Sequence, residues 1–311
     1  MCPSAGIPAE KRGDNPRGRG RNDPTHSNGM KISIVTPSFN SVRTIRETLE
    51  SVARQDYPHV EHIVVDGGST DGTLEILKAY PHLRWLSEKD EGHYHAMNKG
   101  ILMATGEAVG ILNADDCYCE GILAKVAAAF QARPEWEALF GDFIFVDGAG
   151  REIYRREEAC WDPQIVRFGI GMALHQALFV RKATYDRLGL LRHKDFKNAC
   201  DMEFLTRMAQ AKCRVGHIRE YVVRYRYHQF GQSADKRIVA NMARETARIR
   251  REYGVPGGWV GRLLSQYARA KRQVQKLVLL GKCDLVPGRW LLRKHMRDQT
   301  EFSSNIQLDK L

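Results

Sequence analysis

The sequence predicts an α/β protein with a mainly parallel, mixed sheet, followed by a helical and basic C-terminal extension. Short β-rich runs alternate with helical patterns from Lys31 onward, which is typical of βαβ units. The strand patterns stop after residue 235, and helical periodicity replaces them. The net charge of +11 is concentrated in residues 236–311, which hold 17 Lys and Arg against 6 Asp and Glu.

Strands and helices alternate regularly through the first part of the predicted sheet. The first strand is "KISIVTPSF", and the helix after it carries Ile45, Leu49 and Val52 at spacings of four and three. Next come the strand "HIVVD", the helix "TLEILKAY", the strand "LRWLSE", the helix "YHAMNKGILMAT" and the strand "AVGILNADD". This order predicts parallel strands joined by helices.

The second part of the predicted sheet is mixed. After a helix near residues 123–131, "ALFGDFIFVDGAGREIYR" has two β-rich arms around Asp147 and Gly148, which indicates a hairpin. The strand "HQALFVRK", the helix "DMEFLTRMAQA" and the strand "YVVRYRYH" follow. We therefore expect a flexible basic leader at residues 1–29, an α/β domain at 30–235 and an amphipathic helical extension at 236–311.

Composition argues against several classes of protein. The seven cysteines are scattered without a CxxC pair, so the sequence indicates neither a disulfide framework nor a zinc site. No apolar run approaches the ~18 residues of a membrane span. The N-terminal segment lacks the apolar core of a signal peptide, and we expect a cytoplasmic protein.

Polar residues follow the predicted strands where they end. Ligands of open α/β sheets bind at the carboxyl ends of the strands, where Thr36 to Asn40, Asp66 and Asp115 stand. The carboxylate of Asp66 could accept hydrogen bonds from a sugar hydroxyl or a base N–H. Alternatively, "DGGSTDG" is only a strand-to-helix turn, in which Asp71 caps the helix near Thr73.

The stretch "LNADDCY" is a candidate cation site. Asn113, Asp115 and Asp116 directly follow an apolar strand, and hard oxygen donors suit Mg²⁺ or Mn²⁺. Such a cation can neutralise a diphosphate leaving group. Two acidic residues after a strand are also common at the start of a loop or as a helix cap, so the pattern alone leaves both possibilities open.

Five motifs occur in an order and spacing that resemble the inverting family 2 glycosyltransferases, which have the GT-A fold. They are "VTPSFN", "VVDGGSTDGT", "SEKDEGHYHAMNKGI", "LNADD" and "ACDMEFLTRM", and they cover residues 31 to about 235. The third motif is similar to a branch typical of bacterial cell-surface polysaccharide and glycolipid assembly. The resemblance predicts a GT-A domain that moves a sugar from a nucleotide-diphosphate sugar.

The resemblance implies a donor site built from the strand ends. In this family the positions of Thr36 and Pro37 line the nucleotide together with the neighbouring Asn40, and Asp66 binds the base or ribose. Asp115 is the metal ligand that closes an Asp-x-Asp motif, and Asp116 stands beside it as a second candidate. The first position of that motif is Asn113 here, and a neutral amide is a poorer metal ligand than a carboxylate. The diphosphate and sugar pocket is shaped by Glu91, Tyr94 and Asn98.

The resemblance also implies a catalytic base and an acceptor side. Asp201 stands where the family places the base that deprotonates the acceptor hydroxyl. Taken by itself, Asp201 could be a helix N-cap with Met202 as the first helical residue. His175 and Gln176 begin a predicted strand and would face the acceptor, although a buried, hydrogen-bonded histidine is a comparable alternative. His228 is a weaker candidate for a metal or phosphate contact.

Two further histidines stand in the third motif. His93 and His95 are two residues apart, which puts them on different sides of a helix. The spacing argues against a metal pair, and we expect solvated or locally bonded histidines.

The basic extension suggests a surface function. Projection of residues 259–278 onto a helix gathers the apolar side chains in one arc and the basic side chains Arg262, Arg269, Arg272 and Lys276 opposite. Residues 259–297 would suit an anionic membrane surface and a lipid-linked acceptor. Alternatively, the apolar arc packs on the catalytic domain or on a second subunit. No nucleic-acid-binding module is recognisable. The apolar arc contains Trp259, Val260, Leu263, Leu264, Tyr267, Val274, Leu277 and Val278.

These observations favour an inverting glycosyltransferase that uses a nucleotide-diphosphate sugar and a carbohydrate or lipid-linked acceptor, with Mg²⁺ or Mn²⁺ as cofactor. A non-catalytic protein that binds sugar nucleotides or polysaccharides on the same fold is the alternative. A nucleotidyltransferase is disfavoured, because the first strand-helix turn, "TPSFNSVRT", is not a glycine-rich triphosphate loop with Lys or Arg.

Overall fold

The computed structural model describes residues 29–227 and 236–281, and in these residues nine strands form one sheet. The strand order is β3-β2-β1-β4-β8-β6-β9-β5, with β7 paired to β6. The strands are β1 (Ile32–Ser38), β2 (Val60–Asp66), β3 (Arg84–Ser87), β4 (Ala108–Ile111), β5 (Cys117–Tyr118), β6 (Ala138–Val146), β7 (Glu152–Arg156), β8 (Leu178–Arg181) and β9 (Val215–Arg226).

Helices connect and cover these strands. They are α1 (Ile45–Ala53), α2 (Thr73–Lys78), α3 (His93–Met103), α4 (Ile122–Ala132), α5 (Pro163–Arg167), α6 (Lys182–Leu188), α7 (Cys200–Gln210), α8 (Lys236–Glu252) and α9 (Gly258–Leu280). A 3₁₀ turn, His175–Ala177, precedes β8. None of the described helices is both long enough and apolar enough to cross a membrane.

The first half of the sheet is parallel and brings its strand ends together. β1 pairs in parallel with β2 and β4, and β2 pairs in parallel with β3. Ser38 is opposite Asp66, which is opposite Ser87 in the next strand. The polar residues after β1, β2 and β4 therefore lie along one edge of the sheet, as predicted.

The central strands β1 and β4 are buried on both faces, which explains their continuous apolar runs, whereas the edge strand β3 is partly exposed. Every residue of β1 is buried, and helix α3 lies against this strand. A side chain at Gly100 of α3 would overlap Val35 of β1, so glycine permits this close approach.

The second half of the sheet is mixed. β8 is antiparallel to both β4 and β6, while β9 is parallel to β6. The predicted hairpin is present as β6 and β7, and Oδ1 of Asp147 accepts hydrogen bonds from the backbone N–H groups of Ala149 and Arg151 at 2.9 Å each. The mainly parallel, mixed sheet predicted from the sequence is thus confirmed.

Two local predictions are wrong. His175 and Gln176 do not begin a strand, because residues 175–177 form a 3₁₀ turn and β8 starts at Leu178. Asp201 is not the N-cap of its helix, because α7 begins at Cys200 with Ala199 as the N-cap. Asp201 therefore lies inside the first turn of α7.

Helix α9 packs with the face opposite to the one that apolar patterning suggests. Arg272 and Lys276 are buried against the rest of the chain, and Arg272 pairs with the buried Glu158 of the domain. The apolar arc faces outward, with Trp259 68% exposed and Val278 76% exposed. Most of the arc therefore does not pack on the catalytic domain, although Tyr267 contacts Phe168, and packing on a second subunit stays a prediction.

Candidate active site

The loop after β4 is held in place by two residues that are distant in the sequence. Asp116 is buried, and its two carboxylate oxygens accept hydrogen bonds from the backbone N–H of Arg226 (2.8 Å) and from Nε2 of Gln176 (3.1 Å). Burial raises the pKa of Asp116 well above its usual range, and the charge of Asp115 adds to this effect. In this arrangement Asp116 and Gln176 fix the loop from inside the protein.

The side chain of Arg226 also anchors this loop, although no motif of the sequence singled this residue out. Its Nε donates to the backbone carbonyl of Asp115 (2.9 Å), and its Nη1 donates to the carbonyl of Gly148 (2.7 Å). Its Nη2 pairs with Glu47 on α1. One buried guanidinium thus connects β9, α1, the hairpin and the tip of β4. An arginine in an alternating strand carries no local signal of such a role.

A chain of polar side chains joins the tip of β4 to α7. Nε2 of His175 lies 3.4 Å from Oδ1 of Asn113, and its Nδ1 lies 3.4 Å from Oδ2 of Asp201. The hydroxyl of Tyr94 on α3 donates to Oδ1 of Asp201 at 3.0 Å. A carboxylate only accepts hydrogen bonds, so Nδ1 of His175 carries a proton. Tyr94 and His175 therefore meet at the carboxylate of Asp201, and His175 connects it to Asn113.

The carboxylate of Asp201 is kept in its charged form. Burial alone would raise its pKa, but the hydrogen bond and the charge of His175, the N–H of Met202 and the hydroxyl of Tyr94 together lower it below the usual value. The side chain is still one-third exposed, so a substrate can reach it. His93 stands close by, and burial lowers the pKa of this histidine to about 4.

On the donor side, Asp66 organises its own loop. Its carboxylate accepts hydrogen bonds from the N–H groups of Gly68 (3.0 Å) and Ser69 (2.8 Å) and from the hydroxyls of Ser69 and Ser87. The Asp66 side chain is fully buried. The expected helix turn is also present, because Oδ1 of Asp71 accepts from the backbone N–H of Thr73 at 3.0 Å.

The residues at the carboxyl end of β1 and just after it line the same edge. Thr36 is buried, and its hydroxyl lies 2.9 Å from Nε2 of His62, while the neighbouring Pro37 is also buried. Asn40 joins two loops, since its N–H donates to Oγ of Ser69 (2.7 Å) and its Oδ1 accepts from the N–H of Thr70 (3.0 Å).

Phe39, between Pro37 and Asn40, was not singled out from the sequence. Its side chain is 63% exposed and lies beside Gly67 at the carboxyl end of β2. Its exposed ring is therefore available to a ligand that binds at the ends of β1 and β2.

Glu91 and Asn98 lie at the two ends of a second polar group. The amide of Asn98 is almost fully buried, forms two hydrogen bonds with the backbone of Leu191 and donates to Nδ1 of His193 at 3.0 Å. His193 stacks on His95 with ring centroids 4.7 Å apart, and Glu91 is exposed beside them. Among the described residues, Glu91, His95 and His193 are the group of titratable side chains whose ligand atoms could converge on a metal ion.

The residues at the tip of β4 also fit a divalent cation. Asn113 and Asp115 are both half-buried and bring amide and carboxylate oxygens to the edge where the strand ends meet. These are donor types that Mg²⁺ and Mn²⁺ accept. His228, the weaker metal candidate, lies outside the described residues.

The sequence is similar to known glycosyltransferases. Residues 33–185 match the family model described as glycosyl transferase family 2. An uncharacterized glycosyltransferase of Mycobacterium tuberculosis is 30% identical over 187 residues, which are 57% of this chain and 68% of that protein. A PGL/p-HBAD biosynthesis glycosyltransferase of the same organism is 34% identical over 164 residues, or 51% of this chain and 62% of that protein.

A third relative is much longer than this chain. An O-antigen biosynthesis protein of Myxococcus xanthus is 33% identical over 196 residues, which are 61% of this chain but 15% of that protein. The chain thus spans less than two thirds of both the O-antigen and the PGL/p-HBAD proteins.

Solved structures have a similar fold. S. aureus TarS 1-349 in complex with UDP-GlcNAc has a TM-score of 0.55 and 21% identity, covering 80% of this chain and 73% of that chain. The mannosyltransferase PcManGT from Pyrobaculum calidifontis, in complex with GDP-Man and Mn²⁺, has a TM-score of 0.53 and 20% identity, covering 83% and 77%. At this identity the likeness concerns the fold alone, and it confirms the predicted GT-A fold.

Proposed function

Because this chain belongs to glycosyl transferase family 2, we propose that it moves one sugar from a nucleotide-diphosphate sugar to a hydroxyl of a carbohydrate or lipid-linked acceptor, with inversion. The names of the relatives in O-antigen and PGL/p-HBAD biosynthesis support a place in cell-surface polysaccharide or glycolipid synthesis. The observation that carries the proposal is the ionised Asp201, held by His175 and Tyr94 beside the tip of β4.

In the proposed reaction Asp201 is the general base. Its carboxylate takes the proton of the acceptor hydroxyl while the hydroxyl oxygen bonds to the anomeric carbon of the donor sugar. The bond from that carbon to the diphosphate oxygen breaks in the same step, and the electron pair leaves with the nucleoside diphosphate. A single displacement of this kind inverts the anomeric centre. His175 and Tyr94 orient the carboxylate and keep it charged. His175 of the 3₁₀ turn is proposed to face the acceptor, whereas the neighbouring Gln176 is buried and holds Asp116 from inside.

We propose that Asp115 holds a divalent cation, with Asn113 contacting the cation or the sugar. When bound, such a cation neutralises charge on the diphosphate leaving group. Arg226 contributes by fixing the backbone of Asp115, and Asp116 by fixing the loop from inside. The Mn²⁺ complex of the mannosyltransferase with the similar fold supports a cation in this fold.

The nucleoside is proposed to bind across the ends of β1 and β2. Phe39 offers an exposed ring face on which a base can stack. Thr36, Pro37 and Asn40 shape the floor and loops of this pocket, and Asp66 sets the conformation of its turn. Glu91, Tyr94 and Asn98 border the diphosphate and sugar.

The Asp201→Asn substitution tests this function. Asparagine keeps the shape of the side chain but cannot take the proton, so turnover should fall by about 10²–10⁴-fold while nucleotide-sugar affinity stays within twofold. Release of nucleoside diphosphate and isothermal titration measure the two quantities, with the exposed Asp186→Asn as the matched control. Unchanged turnover would favour the alternative of a non-catalytic sugar-nucleotide-binding protein.

We also propose that the basic extension at residues 236–311 binds an anionic membrane surface through residues 259–297, where a lipid-linked acceptor would be found. The part of this region beyond Gly281 lies outside the described residues. In α9, Trp259, Leu263 and Tyr267 are more than half exposed along one face. No acidic residue occurs between Glu252 and Asp284, whereas Arg262 and Arg269 are exposed. Apolar side chains beside uncompensated cations suit an interfacial helix.

Vesicle sedimentation tests the membrane proposal. The full chain should bind vesicles containing phosphatidylglycerol more strongly than vesicles of phosphatidylcholine alone. The double substitution Trp259→Ala and Leu263→Ala should weaken this binding about tenfold or more, because each large side chain contributes ~1.5–3 kcal/mol when buried. Leu102→Ala, at an exposed apolar residue of α3, is the control. Equal binding by all three proteins would contradict the proposal.

A further inference from the structure

The group formed by Glu91, His95 and His193 is not explained by the proposed mechanism. Nε2 of His193 is buried and makes no hydrogen bond, and the nearest carboxylate oxygen, Oε2 of Glu91, is 3.8 Å away. A buried donor without a partner costs about 1–3 kcal/mol, so this position requires an explanation. Glu91 is half exposed, and the group therefore opens toward solvent on one side.

The hydrogen bonds of both rings determine where their protons lie. The amide of Asn98 is oriented by Leu191, whose N–H donates to Oδ1 (2.9 Å) and whose carbonyl accepts from Nδ2 (2.8 Å). The remaining N–H of Asn98 therefore points at Nδ1 of His193, so this nitrogen accepts. Nδ1 of His95 likewise accepts from the backbone N–H of Glu91 at 3.1 Å. A neutral imidazole that accepts at Nδ1 carries its proton on Nε2.

These protons decide which ligand the group suits. A histidine that binds a metal ion uses an unprotonated ring nitrogen, while its other nitrogen carries a proton and donates it to an acceptor. In His193 and His95 the nitrogen inside the protein, Nδ1, accepts instead, and the outer nitrogen, Nε2, carries the proton. A phosphate would meet the N–H of His193 but also the carboxylate of Glu91 only 3.8 Å from it. A hydroxyl both accepts and donates, so it can take the N–H of His193 and give its own proton to Glu91.

The position of the group indicates which hydroxyl this is. Asp90, the residue before Glu91, lies against Gly67 in the turn after β2, where the nucleoside is proposed to bind. On the other side, Tyr94 is bonded to Asp201, the proposed base. Glu91 thus directly follows a residue that contacts the nucleoside turn and precedes by three residues the tyrosine that holds the base. The sugar of the donor must extend from the nucleoside turn to the base in the proposed reaction.

We infer that His193 and Glu91, with His95 stacked behind, bind a hydroxyl of the transferred sugar and help to select it. The inference rests on the proposed function. His193 is then a specificity-determining residue, and Asn98 is the positioning residue that holds it. This role accounts for the hydrogen bonds of the buried Asn98 amide to Leu191 and His193 in the loop before α7.

Two substitutions at one position separate the two ring nitrogens. His193→Asn keeps an amide near the Nδ1 position and removes the Nε2 donor, whereas His193→Gln places an amide N–H near the Nε2 position. The probes are UDP with UDP-GlcNAc and GDP with GDP-mannose, compared by isothermal titration on the full chain. With the pair that binds, His193→Asn should weaken the affinity for the nucleotide sugar about fivefold, which corresponds to the loss of one hydrogen bond. The affinity for the nucleoside diphosphate should change less than twofold. His193→Gln should recover most of the lost affinity.

The outcomes distinguish this inference from the proposed function. Equal affinity of wild type and His193→Asn for a nucleotide sugar that binds would overturn the inference and leave the donor site standing. If none of the four probes binds, the donor is neither of these two nucleotide sugars. Nitrogen-15 spectra of the two histidines then still decide the inference, because protonation at Nδ1, or tight Zn²⁺ binding that is lost in His193→Asn, would identify a metal site instead.

Discussion

Tyr94 and Asn98 lie one turn apart on α3, and each directs its polar end at another residue of the site. Tyr94 donates to Asp201, and Asn98 holds His193. The sequence placed both residues at the site through a motif, but side-chain direction depends on partners about a hundred positions away. The same holds for Asp116, whose carboxylate meets the backbone N–H of Arg226. Thr36 meets His62 of the neighbouring strand over a shorter separation of 26 positions. Position along the sheet edge was predictable from one sequence, whereas the identity of the contacting atoms was not.

At the residue scale, His175 sets the proton affinity of Asp201. Burial raises the pKa of Asp201 and His175 opposes it, so His175→Ala should raise this pKa. A base must be ionised, and activity is lost as pH falls through its pKa. The acid limb of kcat/KM should therefore move to higher pH in His175→Ala, with a roughly tenfold loss at neutral pH for the missing hydrogen bond.

His175→Asn is the matched variant for this prediction, because its amide can replace the Nδ1 donor but not the ring charge. Its acid limb should lie between those of wild type and His175→Ala. A pH profile that keeps its acid limb in His175→Ala, with only a lower plateau, would mean that His175 contacts the acceptor without acting on Asp201.

At the element scale, periodic patterns predicted which segments form strands and helices, but they predicted less well where each element begins and ends. The alternation of β-rich and helical runs follows from burial on the two faces of the sheet, so it is visible in the sequence. The start of α7 at Cys200 and the 3₁₀ turn at His175 depend on contacts between distant segments. Local propensity carries no information on these contacts.

Helix α9 shows how burial can oppose apolar patterning. Glu158 of the domain accepts from Nε of Arg156 at 2.7 Å and also pairs with Arg272, while Lys271 and Gln275 contact Asp162. Three polar side chains of α9 thus attach the helix to the segment around α5. Because Arg272 and Lys276 are buried, most of the apolar arc on the opposite side of the helix faces outward.

The burial of Arg272 predicts a large effect on stability. Arg272→Ala removes one partner of a buried ion pair and leaves Glu158 with Arg156, so the free energy of unfolding should fall by about 3 kcal/mol. Arg269→Ala, at an exposed arginine of the same helix, should change it by less than ~0.5 kcal/mol. Urea unfolding of the two variants measures the difference. Equal stabilities would mean that α9 is not attached through Arg272 in solution.

At the scale of the whole molecule, the site lies where the parallel and mixed halves of the sheet meet. Asn113 and Asp115 follow β4 of the parallel half, while His175 precedes β8 and Arg226 ends β9 in the mixed half. Arg226 reaches the carbonyl of Asp115 across 111 positions of sequence. β4 pairs directly with β8, so His175 before β8 lies beside Asn113 after β4. The side chain of His175 thus connects the donor side of the site to the proposed base, Asp201. The rule that ligands bind at the carboxyl ends of parallel strands predicted the donor side of this site. The contacts between the parallel and mixed halves could be seen only in the folded structure.

This arrangement predicts a cation effect that depends on the nucleotide. A ligand at about 100 times its dissociation constant stabilises the folded state by ~2.7 kcal/mol, so the matching nucleoside diphosphate should raise Tm. Mn²⁺ should add a further increase only in its presence, because Asn113 is a neutral ligand and the diphosphate completes the site. Asp115→Asn should keep the Tm of the free protein and lose the Mn²⁺-dependent increase. Retention of that increase in Asp115→Asn would place the cation elsewhere, with Glu91, His95 and His193 as the next ligands to substitute.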